Sequence, residues 1–437
     1  MAEIFPFSAV HYSQARFDDL SSLICPPYDI ISLQQQQVLY AASEYNFVRL
    51  EFTSSAPDDT GADSRYSRAR NTLDQWLAGG VLTQDDTPAV YLSEQVFTSI
   101  GKTYRRLGLT ATVKLEEWAK MVVRPHEGTL GRPKADRLKL LNTLKANTSP
   151  IFSFYEDPGQ EMAIFLIEQM QQAPMLAAPS AAGEAHCVWA ITDAVALASI
   201  GKYFQDKPLY IADGHHRYES ALAYRDQCRA ADGEHVKGTP SEQVMMTLVA
   251  MDDPGLVILP THRLVRGFDT SRLESLAEKS GAIFRVSRVP LAGTDRREQV
   301  AELLGGADAP MRLAVFGADS PDLLLLEMIN PAAAVALMPE GRAAAYHRLD
   351  VSVVDHVVLA GLLGIDAEAE NATIAYTSDA AEAIRLVAGG EYQLAVMLRS
   401  TGAATIKEIA DAGEKMPRKS TYFYPKLPAG LLVNQLG

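Results

Sequence analysis

The sequence predicts a mixed α/β protein of more than one domain, and three observations carry that reading. At 437 residues the chain has the length of about two to three domains of roughly 150 residues each. Hydrophobic residues make up 47% of it and charged residues 22%, the balance of a chain that folds round a core rather than staying disordered. Short apolar runs of strand length alternate with longer helix-patterned runs, with Gly, Pro, Asn, Asp and Ser between them.

Taken in order, a Pro-Pro turn at Cys25-Pro26-Pro27-Tyr28-Asp29 leads into a helix from Ser32 to Ser43, a strand from Asn46 to Phe52 and a polar loop from Ser54 to Asp63. A helix from Ser64 to Ala78 stops at Gly79-Gly80. Val90 to Phe97 and Lys102 to Leu115 make a hairpin turned at Ser99-Ile100-Gly101. These elements form an N-terminal mixed α/β unit, residues 1–115.

A second unit, 116–265, holds the loop Arg124 to Thr129, a basic helix from Lys134 to Lys145 and a strand from Ile151 to Tyr155. Helices follow from Glu161 to Gln172 and from Asp193 to Gln205, separated by an Ala/Pro/Gly-rich surface loop from Ala173 to Ala185. Next come a strand from Lys207 to Ala212 and a helix from Tyr218 to Ala231. A hairpin of Gln243 to Asp252 and Leu256 to Val265, turned at Asp253-Pro254-Gly255, closes the unit.

The third unit, 266–437, alternates. Its helices are expected at Arg272 to Lys279, Arg296 to Leu304, Val353 to Leu363, Ala380 to Ala388 and Thr405 to Ala412. Its strands are expected at Ala282 to Ser287, Met311 to Phe316, Leu323 to Met328, Ala372 to Tyr376 and Leu394 to Leu398.

Charge narrows the function. Lys and Arg number 40 against 54 Asp and Glu, a net charge of −14, which argues against bulk electrostatic binding to nucleic acid or an anionic membrane. Cys25, Cys187 and Cys228 are far apart, and no pair has metal-ligand or redox spacing, as expected of reduced thiols in the cytoplasm. The start, MAEIFPFSAVHYSQARF, has no basic segment followed by an apolar one and does not read as a signal peptide. The most apolar windows are too short to span a bilayer. A cytoplasmic protein with a small-molecule partner is the expectation, its oligomeric state open.

The segment with chemistry in it is Leu209 to Leu222. An apolar strand stops at Asp213-Gly214, and a helix with Ala221, Leu222 and Tyr224 on its apolar face starts within a few residues. A helix start presents backbone N–H groups and the positive end of the macrodipole, and Gly214 allows a ligand close to the backbone. His215, His216 and Arg217 add cationic or donor side chains on the first turn, a pattern suited to phosphate. The competing reading makes Asp213 a helix cap and the histidines surface residues. No third ligand has diagnostic spacing to the two histidines, so no metal site is expected.

The motif, with the helix and strand before it, resembles the nucleotide site of the ParB/sulfiredoxin superfamily. Sulfiredoxins carry Gly-Cys-His-Arg and ParB proteins Gly-Glu-Arg-Arg at this place; the nucleotide-dependent free-serine kinases carry Asp-Gly-His-His-Arg, which Asp213 to Arg217 matches without a gap. The loop Arg124-Pro125-His126-Glu127-Gly128-Thr129 is similar to the kinases' Pro-His-Glu segment. The resemblance implies that Glu127 is the base that takes the substrate's hydroxyl proton, with His126 beside it. It also implies ATP or ADP with Mg²⁺ as cofactors and free serine as the hydroxyl substrate, in the kinase or the phosphoserine-hydrolysing direction. Independently, phosphoryl transfer needs a carboxylate to orient the attacking oxygen and cations to neutralise phosphate. Over its length the chain resembles the bacterial family catalogued as domain of unknown function 1015. The strings that carry this are Cys25 to Asp29, Pro125 to Glu127, Ala212 to Tyr218, Leu259 to Arg263 and Met416 to Lys426.

Arg124, Thr129, Lys419, Ser420 and Thr421 are further candidates for substrate or phosphate contacts. The run Lys419 to Lys426 combines hydroxyls, lysines and aromatic rings, and serves equally as an aromatic strand anchored in the core. His262 and Arg263 alternate along a strand and cannot share one pocket. Asp29 suits a turn, a cap, or water-mediated Mg²⁺. Two other classes stay open: a nucleotide-responsive module related to DNA-partition proteins, and a scaffold with a relic phosphate site.

Overall fold

The structure, a computed structural model, describes residues 2–55, 59, 64–129, 131–179, 183–232, 239–269, 271–291, 295–306, 309–317, 321–365 and 374–437. It is mixed α/β and divides into two compact units. One comprises Met1–Pro125, Thr129–Val257 and Pro425–Gly437; the other comprises His126–Gly128 and Ile258–Tyr424.

The first unit is built on a nine-stranded sheet. Its order is Val123–Arg124, Leu209–Asp213, Ile151–Tyr155, Gln243–Ala250, Lys102–Lys114, Val90–Ser99, Ala185–Ile191 and Leu176–Pro179, with Ile4–Phe5 also pairing to Lys102–Lys114. A boundary between residues 115 and 116 would run through this sheet, because Lys102–Lys114 pairs antiparallel with Gln243–Ala250 and places Lys114 opposite Gln243. Leu109, Ala111 and Val113 share one core with Val244, Met246 and Leu248, so the two stretches bury their apolar faces together. The helix Gly131–Leu144 packs on the helix His215–Asp232.

Two expectations are corrected here. Residues 46–52 alternate like a strand, but Val48–Glu51 is a short helix. The Asn46 side chain accepts from the Val48 amide at 3.0 Å and starts the turn, and Phe47, Val48, Leu50 and Glu51 are all buried. The Ala/Pro/Gly-rich stretch 173–185 includes the strand Leu176–Pro179, at the end of the sheet order, where a proline costs no ladder bond. Its partner Ala185–Ile191 is a strand that pattern reading missed. The polar run from Ser54 to Asp63 lies largely outside the described residues.

The second unit holds a six-stranded antiparallel sheet in the order Phe284–Pro290, Asp322–Met328, Arg312–Gly317, Leu394–Met397, His262–Val265, Ile374–Thr377. The expected hairpin of 243–252 with 256–265 does not form. Gln243–Ala250 has both edges occupied, by Lys102–Lys114 and Ile151–Tyr155, and His262–Val265 belongs to this other sheet. The helix Ala380–Ala388 contributes Ala383, Ile384 and Val387 to the unit's core beside Leu264, Ala314 and Met397. Among the described residues no helix is long and apolar enough to cross a membrane.

Candidate phosphate-binding site

The strand Leu209–Asp213 runs parallel to Val123–Arg124 on one side and antiparallel to Ile151–Tyr155 on the other. The chain therefore leaves the sheet after Arg124 at the same end as after Asp213. Gly214 takes φ +99°, a conformation open to glycine and costly for other residues, and the helix starts at once with His215. Tyr218 N bonds the Gly214 carbonyl at 3.0 Å, so Gly214 is the half-turn entry to the helix. The helix begins three residues before the position that its pattern suggested, which puts His215, His216 and Arg217 inside its first turn. Tyr218, Ala221, Leu222 and Tyr224 are buried on its inner face. The Tyr218 hydroxyl donates to Glu116 O at 2.7 Å and pins that face.

Arg217 turns back over Gly214. A Cβ placed on Gly214 would meet the Arg217 Cζ and Nε at 3.0 Å, so the glycine is required twice, for its backbone and for the space it leaves. Arg217 Nη2 donates to Asp213 Oδ2 at 2.5 Å. Its Nη1 donates to Ser149 Oγ at 3.3 Å and to the Pro150 carbonyl. Its Nε is buried and bonds no acceptor among the described residues. A cavity of about 40 Å³ adjoins the guanidinium, lined in part by Arg137, Asn147, Thr148, Ser149 and Ser220, with room for about three water molecules.

Two residues join this cluster from the ends of the chain. Lys426 Nζ donates to Asp213 Oδ1. Asp29 sits in the 3-10 turn Tyr28–Ile30, and Ser32 rather than Asp29 caps the helix that follows. Desolvation, and next the charge of Asp213, raise the Asp29 carboxyl above its ordinary pKa against the pull of Lys426 and Arg217. For Asp213 burial again pushes upward, but Lys426 and Arg217 overcome it and hold the carboxyl well below the carboxylate range. Two carboxylates and two cations thus stand together at a helix start. Behind them Glu51, its side chain without exposure, accepts from Thr148 Oγ1 at 2.5 Å and Ser149 Oγ at 3.1 Å.

This geometry redistributes the sequence-level roles. Asp213, expected among the phosphate ligands, is an anion already neutralised by Arg217 and Lys426; it orders the two cations and would repel a phosphate oxygen. Gly214, the helix-start amides and Arg217 remain suited to an anion. His215 is 7% exposed and His216 is half-buried. Arg124 donates to Met121 O at 2.8 Å and to the Tyr210 hydroxyl at 3.2 Å. Thr129 donates to Glu219 at 2.7 Å on the outer part of the same helix. Among the described residues no three His, Cys, Asp or Glu side chains gather to hold a metal.

In the second unit, His126 is 1% exposed, and its Nε2 shares a hydrogen bond with Thr421 Oγ1 at 3.0 Å. Thr421 Oγ1 also lies 3.4 Å from Glu127 Oε1 as donor, and the His126 carbonyl accepts from Met416 N at 2.8 Å. His126 is therefore placed to hold Thr421 beside Glu127. Ser420 is 2% exposed with its hydroxyl bonded to the Pro417 carbonyl. Lys419 has φ +55° and an exposed side chain, and its carbonyl accepts from Arg263 Nη1 at 3.4 Å. Arg263 is buried in a two-pronged pair with Asp355, at 2.9 and 3.0 Å. The sequence offered Asp29 for a turn, a cap or Mg²⁺ and Lys426 only as part of the run from Lys419, and neither as a partner of this cluster. Their signal lay in two strings, Cys25 to Asp29 and Met416 to Lys426, whose roles no local pattern reveals.

Several solved structures are similar at low scores. A conserved hypothetical protein from Pyrococcus furiosus aligns at 13% identity and TM-score 0.35, covering 75% of this chain and 95% of that one. A free serine kinase in complex with AMP aligns at 12% identity and TM-score 0.35, covering 74% and 91%. SbnI with a C-terminal truncation, from Staphylococcus aureus, aligns at 13% identity and TM-score 0.34, covering 75% and 87%. Likeness at this level bears on neither ligand nor activity. No curated protein matches the chain. Residues 4–352 match the family described as protein of unknown function (DUF1015), and the chain belongs to that family.

Proposed function

We propose that the first unit binds the phosphates of a nucleotide at Gly214 to Arg217, and that the chain transfers a phosphoryl group between that nucleotide and a small hydroxyl metabolite. One observation carries the reading: Gly214 at φ +99° lets the Arg217 guanidinium lie against the backbone at a helix start. The positive end of a helix dipole beside a guanidinium suits a phosphate. The orphaned Arg217 Nε supports the same reading, since a buried N–H gains from an acceptor. ATP or ADP as nucleotide and free serine as acceptor rest on the match of Asp213 to Arg217 to the free-serine kinases' motif.

In the kinase direction the hydroxyl oxygen bonds to phosphorus, the bond from phosphorus to the nucleotide's bridging oxygen breaks, and the hydroxyl proton goes to a carboxylate. Glu127 is assigned that carboxylate on the Pro125-His126-Glu127 motif, with Thr421 and His126 holding it in place. Hydrolysis of a phosphorylated hydroxyl compound would use the same groups. Mg²⁺ bound with the nucleotide would neutralise phosphate oxygens, and Asp29 is the carboxylate suited to hold it, since Mg²⁺ commonly takes one or two carboxylates besides phosphate.

Phosphorus NMR of the chain with ATP or ADP, Mg²⁺ and a pool of hydroxyl metabolites that includes serine tests this. A new phosphomonoester signal is expected from the wild type. Arg217→Ala should abolish it, and Glu127→Gln should slow it about 100-fold or more with nucleotide binding retained. Full turnover by Glu127→Gln would remove the base assignment. A wild type that neither binds nor turns over any nucleotide would remove the whole reading.

A further inference from the structure

We propose that Lys426 is a phosphate-binding residue of this site and that Arg106 is the positioning residue that delivers it; the proposal rests on the nucleotide reading above. Arg106 belongs to the strand Lys102–Lys114 and is 2% exposed. Its Cζ lies 5.5 Å from the Phe97 ring centroid and 4.8 Å from that of Phe152. Its Nη2 donates to Gln95 Oε1 and, at 2.7 Å, to the main-chain carbonyl of Pro425. Gln95 is oriented in turn by its own donation to Glu184 at 3.0 Å. Burial lowers the Arg106 pKa to about 10, the mark of a cation held where desolvation opposes it. Such a group is tolerated when its hydrogen bonds are made, and one of them fixes the residue just before Lys426.

The segment after Pro425 is tied to the same unit at further points. Cys25 and Ala429 exchange backbone bonds at 3.2 and 2.8 Å, Val10 and Val433 exchange them at 2.9 and 2.8 Å, and Asn434–Gln435 pairs with Ala146–Asn147. With φ of Pro425 set by its ring and its carbonyl held by Arg106, Lys426 leaves the backbone in a defined direction. Its ammonium ends on Asp213, 11% exposed. Without Lys426, the carboxylates Asp29 and Asp213 outnumber Arg217 and an approaching phosphate meets net negative charge. With it the four charges balance. The bond to Asp213 holds the ammonium at the helix start, where a phosphate seated at Gly214 would meet its charge.

Calorimetric titration of the full chain with ADP, and separately with inorganic phosphate, tests both halves. Lys426→Met should weaken ADP about tenfold or more, and Lys426→Arg should restore most of the affinity, as expected for a charge-assisted hydrogen bond. Arg106→Lys, which keeps a charge but shortens the reach, should weaken ADP in the same way. The double variant should bind no worse than Lys426→Met alone, because both changes act through one ammonium. Wild-type affinity in Lys426→Met, or losses that add in the double variant, would overturn the proposal. A wild type that binds neither probe would instead remove the nucleotide reading and the ligand half with it. The positioning half would still be read from NMR titration of the reductively ¹³C-methylated Lys426 amine. Its pKa should fall in Arg106→Lys as it should in Asp213→Asn, and an unchanged value in Arg106→Lys would overturn it.

Discussion

Gly214 concentrates the account at the scale of one residue. Its φ of +99° and the 3.0 Å that a Cβ would leave to Arg217 make two separate costs. The guanidinium cannot swing away cheaply, because Asp213, Ser149 and Pro150 all hold it. Gly214→Ala should therefore cost about 1–3 kcal/mol of stability and abolish ADP binding, measured by thermal melting and calorimetry; ADP affinity equal to wild type would show that the seat of Arg217 against Gly214 plays no part in binding. The Asp-Gly-His-His-Arg turn was legible in the sequence because every part of it is local: a strand end, a glycine, a helix start. The pairing of Asp213 was not legible, for the opposite reason. A carboxylate beside a glycine at a helix start shows no partner in the local sequence, and the partner, Lys426, lies 213 residues further along the chain.

Elements show the same division between local and distant signals. The hairpin Val90–Ser99 with Lys102–Lys114, the helix from Arg65 and the strand Leu209–Asp213 were readable from period and punctuation. The helix Val48–Glu51 was not, since its apolar spacing mimics a strand, and the bond from Val48 N to the Asn46 side chain and the burial of Glu51 decide the outcome. That helix matters to the site. Glu51 accepts from Thr148 and Ser149, and the Tyr28 amide donates to it at 3.4 Å. The Tyr28 ring lies 3.9 Å from the Arg137 Cζ, so this element anchors both the turn bearing Asp29 and the Ser149 that bonds Arg217. Glu51→Ala should cost about 3 kcal/mol, the scale for removing one partner of a buried charged network. Glu51→Gln should cost less, because it keeps an acceptor. Denaturant unfolding checks the pair, and equal losses would show that the carboxylate's charge and bonds are not what matters.

At the scale of the molecule, each unit carries its own buried ionic or polar core, and these cores set the response to pH. In the second unit His262 is 3% exposed, and its Nδ1 accepts from Leu398 N at 3.4 Å. Burial, and next the charge of Arg263, lower its pKa to about 4. The unfolded imidazole titrates near about 6.5, so between these values the unfolded chain binds a proton that the folded chain does not. Stability should then fall as pH drops through this window, by up to about 3 kcal/mol. His262→Gln should flatten that acid slope, as followed by denaturant unfolding at a series of pH values; an unchanged slope would place its origin elsewhere. Mixed α/β class was legible from the alternation of runs, whereas the partition into units was not. The first unit draws Pro425–Gly437 back beside Val10, Cys25 and Ala146–Asn147, contacts that a reading of the chain in order does not reveal. The central claim is that phosphate docks on the turn from Gly214 to Arg217, and a crystal structure of the chain soaked with ADP tests it most directly. Phosphate density is expected against the amides at the start of the His215–Asp232 helix, beside Arg217 Nε and Lys426; ADP held elsewhere while that turn stays bare would overturn the proposal.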